Sequence, residues 1–364
     1  MPGLFDPYSL QGVTLRNRIA VSPMCQYMAE DGLANDWHQA HYAGLARGGA
    51  GLVILEATAA SPEGRITWGD LGLWNDAQAE ALRPIVAAIK KAGAVPGIQI
   101  GHAGRKASAN RPWEGDDHIP LGQPHSWETI APSPIAFGAG LPRVPREMTV
   151  EDIHRVQSDI AAAVARARDI GVQWLQLHMA HGYLAQNFFS PYSNQRTDQY
   201  GGSAENRARY LLETLIAVRK VWPAERPLTV RLGVVEFDGN DDAMLAEAIA
   251  LLLKMKQEGL DFVDVSMGFN TPTAKIPWGP HFLAPIARQV LHETGLPGST
   301  SWYIAQPEEA DSLLRAGDVD LIALGRPLLA EPHWPYRAAK ALHVDNPAWA
   351  TLPASYAHWL ARYR

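Results

Sequence analysis

Eight short runs of apolar and β-branched residues recur along the chain, at 18–25, 51–59, 97–102, 172–178, 228–234, 262–267, 297–302 and 319–326. Stretches of helical period lie between them. In AEALRPIVAAIKKAG (79–93) and MLAEAIALLLKMKQEG (244–259) the apolar residues fall on one helical face, and Gly93 and Gly259 stand where a helix stop belongs. Strands that alternate with helices pair in parallel, because each helix carries the chain back to the same end of the sheet. Two α/β topologies satisfy that rule, an open doubly wound sheet and a closed eight-stranded barrel. An open dinucleotide-binding sheet calls for G-x-G-x-x-G between its first strand and helix. Here the first strand runs into Ser22-Pro23-Met24-Cys25, and the cluster Gly48-Gly49-Ala50-Gly51 precedes a strand, as a helix stop and turn would. Eight strands in 364 residues therefore predict a (β/α)8 barrel with insertions, formed as one domain over 1–364.

Three segments stand outside the alternation. SLQGVTLRN (9–17) alternates around Gly12 and predicts an N-terminal β-hairpin across the bottom of the barrel. From Lys106 to about Met148, after the third strand, Pro, Gly and Trp crowd together without a period. An insertion loop of that length is expected to serve as a lid over the mouth. The tail 351–364 carries Tyr356, Trp359 and Tyr363, an apolar patch on an isolated copy, so a homodimer is expected. The only cysteine is Cys25, which leaves no intrachain disulfide and fits a reducing, cytoplasmic setting. The opening MPGLFDPYSL has no signal-peptide pattern, and no apolar run reaches membrane-spanning length. A net charge of −6 provides no basic face for nucleic acid.

In such a barrel the working residues sit at the C-terminal ends of the strands and in the loops that follow. Those ends supply Cys25 and Tyr27, Ala57, Gln99 and His102, His178, His181 and Tyr183, Arg231, Trp302, and Gly325-Arg326. The set is polar, aromatic and short of carboxylates, against a glycosidase, which needs paired acids, and against a magnesium site. Glu56 is an acid on the second strand, but beside Ala57 it is expected to face outward. His178 and His181 admit three readings. As zinc ligands they want a third partner. They also fit two hydrogen-bonded histidines at a strand end. Lastly they fit a pair of N–H donors for a carbonyl oxygen that gains charge in a transition state, with Tyr183 placed to protonate a neighbouring carbon. Arg231, interrupting an apolar strand, reads either as a core ion pair or as a group stabilising an anionic ring. Cys25 reads as a small buried hydrophobe or as a site residue. Gly325-Arg326 fits the phosphate cradle that such barrels build after their last two strands. No metal is expected.

NRIAVSPMCQY (17–27), EATAASPEGRIT (56–67), GIQIGHAGRKAS (97–108), HMAHGYLAQNFFSPYSNQRTDQYGGSAENRARY (178–210), RLGV (231–234) and LGRPLLAEP (324–332) together resemble the old yellow enzymes. These are flavin-dependent ene-reductases built on a TIM barrel. The tail SYAHWLARYR (355–364) is similar to the bacterial branch of xenobiotic reductases and YqjM-like NADPH dehydrogenases. The resemblance implies non-covalent FMN at the barrel mouth, NADPH or NADH as reductant, and activated alkenes and related xenobiotics such as nitro compounds as substrates. By position it places Ser22, Pro23, Met24 and Cys25 beside the flavin ring, Cys25 tuning its potential. Ala57, Gln99 and Arg231 fall at the ring's polar edge, and Gly325 and Arg326 at the phosphate. It gives His178 and His181 to the substrate's carbonyl oxygen, Tyr183 to proton donation, and Tyr27 to substrate binding. Trp302 and Trp359 become apolar walls, Trp359 from the same or a neighbouring subunit. Substrate and nicotinamide would share one pocket in ping-pong turnover, which agrees with the missing dinucleotide motif. The alternative is a flavin-binding sensor or carrier with weak turnover.

Two positions depart from the pattern. In STSWYIAQP (299–307), Tyr303 stands where relatives carry glycine, and Ser301 where close relatives carry alanine. If that glycine needs positive φ, a tyrosine there is expected to impose strain or to move the loop.

Overall fold

The computed structural model describes residues 2–363 and closes eight parallel strands into a barrel. The chain opens with β1 (Tyr8–Leu10) and β2 (Val13–Leu15), an antiparallel hairpin turning at Gln11-Gly12. The barrel then begins with β3 (Ile19–Val21), α1 (Asp36–Arg47), β4 (Leu52–Ala59), α2 (Asp76–Lys91) and β5 (Val95–Gly101). The insertion that follows holds short 3-10 turns and two two-residue strands, β6 (Ile130–Ala131) and β7 (Arg146–Glu147). Next come α3 (Val150–Asp169), β8 (Trp174–Met179), α4 (Leu184–Phe189), α5 (Ala204–Arg219) and β9 (Leu228–Val235). The alternation finishes with α6 (Asp241–Gln257), β10 (Phe262–Met267), α7 (Ala284–Thr294), β11 (Gly298–Thr300), α8 (Pro307–Ala316) and β12 (Leu321–Leu324). Four helices end the chain: α9 (Arg326–Ala330), α10 (Trp334–Ala341), α11 (Pro347–Thr351) and α12 (Ala354–Leu360). Of the tail, Arg364 lies outside the described residues. Around the barrel the order is β3-β4-β5-β8-β9-β10-β11-β12, and β12 returns to β3 through Ile322 opposite Ile19.

Local chemistry starts and stops these elements where the pattern expects. Asn75 caps α2 by accepting the Gln78 N–H at 3.0 Å, and the Gln78 side chain returns a bond to the Asn75 N–H at 3.2 Å. Gly93 and Gly259, at φ +81 and +94, follow the ends of α2 and α6. The hairpin seals the bottom of the barrel. Tyr8, Val13 and Leu15 pack on Leu52, Val95, Trp174, Phe262 and Leu321, which lie at or near the N-terminal ends of their strands. That leaves the opposite end open as a mouth.

The insertion is fastened by arginines to the barrel rim and to itself. Arg105 donates to the carbonyls of Ile135, Ala136 and Asn270, Arg196 to those of Pro132 and Met148, and Arg143 to those of Trp127 and Ile119. The pairing of β4 with β5 skips one residue. Leu55 faces Ile98 and Ala57 faces Gln99, so Glu56 is the extra residue of a bulge. Its side chain leaves the barrel as expected, but it ends fully buried against Tyr42 of α1 rather than in solvent. Among the described residues no helix is long and apolar enough to cross a membrane.

Candidate active site

The strand β8 delivers His178 to the mouth, and the turn after it folds His181 and Tyr183 back over the same spot. His181 and Gly182 take positive φ, +62 and +67. A Cβ on Gly182 would fall 2.3 Å from the Phe269 carbonyl oxygen, so the close approach needs glycine. The His181 N–H donates to the Met267 carbonyl at 3.1 Å, tying the turn to β10. The three rings gather as a result. His178 lies 5.0 Å from His181 and 4.9 Å from Tyr183, with 6.4 Å between His181 and Tyr183.

Their surroundings set their charge. Burial, with the Arg231 cation adding to it, drives both imidazoles well below the usual histidine range, so both are neutral near pH 7. Burial also pushes the Tyr183 phenol well above its ordinary value, helped by Cys25 and Asp70, and keeps it protonated. His178 Nδ1 is buried without a hydrogen-bond partner. His181 Nε2 lies 2.8 Å from Ser266 Oγ, which also meets Trp302 Nε1 at 3.4 Å. His178 thus keeps a buried nitrogen without a partner, while Ser266 engages Nε2 of His181. Among the described residues no group of three or more His, Cys, Asp or Glu stands ready to hold a metal.

Beneath these rings runs a polar layer. Gln99 donates to Gln176 at 2.7 Å, and Ser299 donates to Asp264 at 3.2 Å. Arg231 Nε lies 3.2 Å from Asp264, while its terminal nitrogens reach Ser301 at 2.8 Å and Ser22 at 3.5 Å. Arg231 is thus both a core ion pair and a mouth residue. Ser301, one of the two departures, is its acceptor.

Ser22, Pro23, Met24, Arg231, Trp302, Gly325 and Arg326 line one cavity of about 220 Å³, together with His181, Ser301 and Tyr303. The donor set fits a phosphorylated flavin. Two guanidinium groups and serine hydroxyls suit a phosphate and an electron-rich ring edge. A Cβ on Gly325 would stand 3.3 Å from Met24 Sδ, crowding the wall of that cavity. Trp302 and Tyr303 both take positive φ, +79 and +54, so Tyr303 adopts the conformation that favours glycine. Its ring lies between Trp278, at 5.7 Å, and the Arg326 guanidinium, at 4.9 Å.

A second, small chamber is lined by Ala57, Asp70, His102, His178 and Tyr183. Cys25 is half-buried, and burial, then the Asp70 and Glu56 carboxyls, push its thiol up against bonds to the Ala57 backbone and Tyr27. Tyr27, at φ +56, sets its ring edge-on to Trp113 of the insertion at 5.9 Å. Gln99 stays in the buried layer below. Trp359 is 72% exposed, rests against His358 and lines neither cavity. A larger cleft of about 520 Å³, between Glu30, Arg65, Trp68 and Trp127, contains none of these residues.

Several site residues escape a reading of strand ends. Asp264 and Ser266 alternate with Val263 and Val265 in β10, a period-two signal for side chains inside the barrel. Lys106 opens the insertion, and its Nζ donates to the carbonyls of His181 and Phe269 at 2.8 Å each, 4.0 Å from the Phe137 ring centre. Burial lowers its ammonium to about 7. Its position in the loop just past the third barrel strand, two residues after Gly104, was the available signal.

Comparison with known proteins agrees with this geometry. Residues 3–345 match the NADH:flavin oxidoreductase / NADH oxidase family. The NADPH dehydrogenase of Geobacillus thermodenitrificans is 40% identical over 343 residues, 94% of this chain and 95% of that protein. The NADPH dehydrogenase of Listeria monocytogenes serovar 1/2a is 40% identical over 344 residues, 94% of this chain and 96% of that one. Among solved structures, morphinone reductase in complex with tetrahydroNAD superposes with a TM-score of 0.78 at 28% identity, over 94% of this chain and 91% of that one. An old yellow enzyme homologue from Zymomonas mobilis gives 0.79 at 28% identity, over 98% and 99%. The chain belongs to the NADH:flavin oxidoreductase / NADH oxidase family, enzymes that couple FMN to NAD(P)H.

Proposed function

We propose that the protein is an FMN-dependent ene-reductase that reduces α,β-unsaturated carbonyls and related activated alkenes at the expense of NAD(P)H. The observation that carries this reading is the gathering of neutral His178, neutral His181 and protonated Tyr183 within 4.9 to 6.4 Å, next to a cavity rich in anion donors. Bound at the mouth, FMN would supply hydride transfer between NAD(P)H and the β-carbon of the alkene. Arg326 and Gly325 would hold its phosphate, Ser22, Pro23, Met24 and Cys25 would flank its ring, and Arg231, Ala57, Gln99 and Trp302 would complete the binding site. His178 and His181 hold the substrate's carbonyl oxygen and donate to the charge that grows on it. Tyr183 then gives its phenolic proton to the α-carbon. Tyr27 and Trp302 shape the substrate pocket, and the insertion 106–148 keeps water out as a lid. A homodimer, in which Trp359 of one copy approaches the mouth of another, covers the aromatic tail. The single cysteine fits a cytoplasmic location, and the tail motif fits the xenobiotic-reductase branch.

The first test is the visible spectrum of the purified protein, before and after anaerobic NADPH and then with 2-cyclohexenone. A flavin spectrum that bleaches and returns is expected. Tyr303 at φ +54 favours one second reading, a flavin-binding sensor or carrier with impaired turnover. Bleaching without enone-dependent return would establish it. A protein that stays colourless when FMN is supplied would sink both readings.

The histidine pair makes its own prediction. Phenols present a negative oxygen where an enolate oxygen would lie. The double substitution His178→Ala, His181→Ala should weaken phenol binding by at least about tenfold, the loss expected for hydrogen bonds to a charged acceptor. Titrating the phenol charge-transfer band reads this directly, and an unaltered affinity would take the histidines out of the oxyanion site.

A further inference from the structure

Glu56 is a fully buried carboxyl that the mechanism above leaves unused. As the extra residue of the β4 bulge, it turns back against α1 and under the segment that carries Cys25 and Tyr27. There Oε2 accepts the backbone N–H of Gln26 at 2.7 Å, and Oε1 accepts the Tyr42 hydroxyl proton at 2.8 Å. The same hydroxyl oxygen accepts the Glu56 N–H at 2.9 Å. His38 Nε2, buried and without a hydrogen-bond partner, stands 3.7 Å from Oε1, and burial keeps that imidazole neutral near pH 7. A buried carboxyl with no cation beside it costs stability, so its presence asks for a use.

Gln26 sits between two residues of the mouth. Its side chain is engaged with the Met24 carbonyl and the Trp37 indole, so the bond from its N–H to Glu56 ties down the backbone itself. The next residue, Tyr27, is held at φ +56, a conformation that side-chain-bearing residues keep only when their surroundings impose it. We infer that Glu56 is a positioning residue, whose grip on the Gln26 N–H sets where the Cys25 thiol and the Tyr27 phenol stand at the mouth. What the mouth holds rests on the ene-reductase reading; the grip itself does not.

The charge of this carboxyl is adjustable. Burial pushes it up to about 8, against the pull of the Gln26 N–H and the Tyr42 hydroxyl. Around it, burial drives His38, and His41 beside it, down to about 4, and pushes the Tyr42 phenol and Cys25 thiol well up. Asp70, raised to about 6, is already ionised when Glu56 titrates. Glu56 is therefore the member of this cluster that changes charge near pH 8. A carboxylate accepts an N–H more strongly than the neutral acid does, so the grip tightens as pH rises through that value.

Cys25 is the only thiol, so its alkylation reports the segment without ambiguity. In the purified protein at about pH 9, where Glu56 is ionised, Glu56→Gln should raise the rate of Cys25 alkylation by iodoacetamide about tenfold, the change expected when a hydrogen bond to a charged acceptor is lost. With FMN bound it should also shift the flavin midpoint potential, and that shift should largely vanish in a Cys25→Ala background. An equal shift in both backgrounds would mean that Glu56 acts as a plain charge and would overturn the inference. So would an unchanged alkylation rate in a variant that melts like the wild type. If Glu56→Gln does not fold, Tyr42→Phe removes the Oε1 donor and leaves the Gln26 bond. It should then move both readouts in the same direction by less, and no movement would again overturn the inference. A protein that takes up no FMN yet shows the alkylation response would sink the ene-reductase reading alone.

Discussion

Tyr183→Phe should slow reoxidation of the reduced protein by an enone by roughly 10²- to 10⁴-fold, the range for loss of a positioned general acid. Its reduction by NADPH should stay nearly unchanged, because that step takes no proton from a phenol. Stopped-flow traces of the two half-reactions separate the effects, and an equal loss in both would return Tyr183 to a packing role. The surroundings of the ring add a pH signature. Burial holds both imidazoles well below their usual range and the phenol well above its own, so none of the three titrates between neutral and moderately alkaline pH. The alkene half-reaction should therefore be flat through that range apart from two expected inflections. One near pH 7 would belong to Lys106, whose Nζ lies 5.9 Å from the Tyr183 ring centre. The other, near pH 8, would belong to Glu56.

Arg231→Met should destabilise the fold by about 3–5 kcal/mol, since it leaves the Asp264 carboxylate buried without its cation. Denaturant unfolding measures this, and Arg231→Met combined with Asp264→Asn should recover most of the loss. The amide keeps the volume and can still accept from Ser299. Burial already raises Asp264, and Arg231 is the main influence pulling it back. In the single variant Asp264 therefore rises further above its unfolded value. A group raised in the folded state contributes most at low pH, so the deficit should shrink on acidification and grow as pH rises. A deficit below about 1 kcal/mol at pH 8 would mean that water reaches Asp264 and that the pair is no more than a surface-like contact. The same substitution opens the Ser22 and Ser301 side of the mouth cavity, so loss of FMN should accompany the loss of stability.

The architecture was legible because its signals are local and repeated. Eight apolar runs, helical spacing between them, and Gly93 and Gly259 at the helix stops specify strand, helix and stop without reference to distant residues. The N-terminal hairpin was legible for the same reason. So were the strand-end histidines and Tyr183, because in this barrel sequence position at a strand end translates into position at the mouth. Glycine's absence at Tyr303 could be noticed from the sequence, and the backbone there does take the left-handed conformation.

Other features required the closed barrel. Asp264 is a mid-strand acid until the pairing of β10 with β9 sets it opposite Arg231, 3.2 Å away, which bears out the ion-pair reading of that arginine. Lys106 is an unremarked loop residue until the turns after β8 and β10 present it with two carbonyls. His178 and His181 look equivalent in the chain, yet Ser266 engages one and leaves a nitrogen of the other free. Glu56 has an outward direction that follows from alternation, but what it meets there depends on how α1 packs over the bulge. The sequence by itself determined the barrel, its hairpin plug and the ring of residues at its mouth, because hydrophobic period, helix stops and strand-end position act over a few residues. Only the tertiary structure decided which polar groups pair and which remain free, because hydrogen-bond and charge partners are chosen by strand closure and helix packing between residues far apart in the chain.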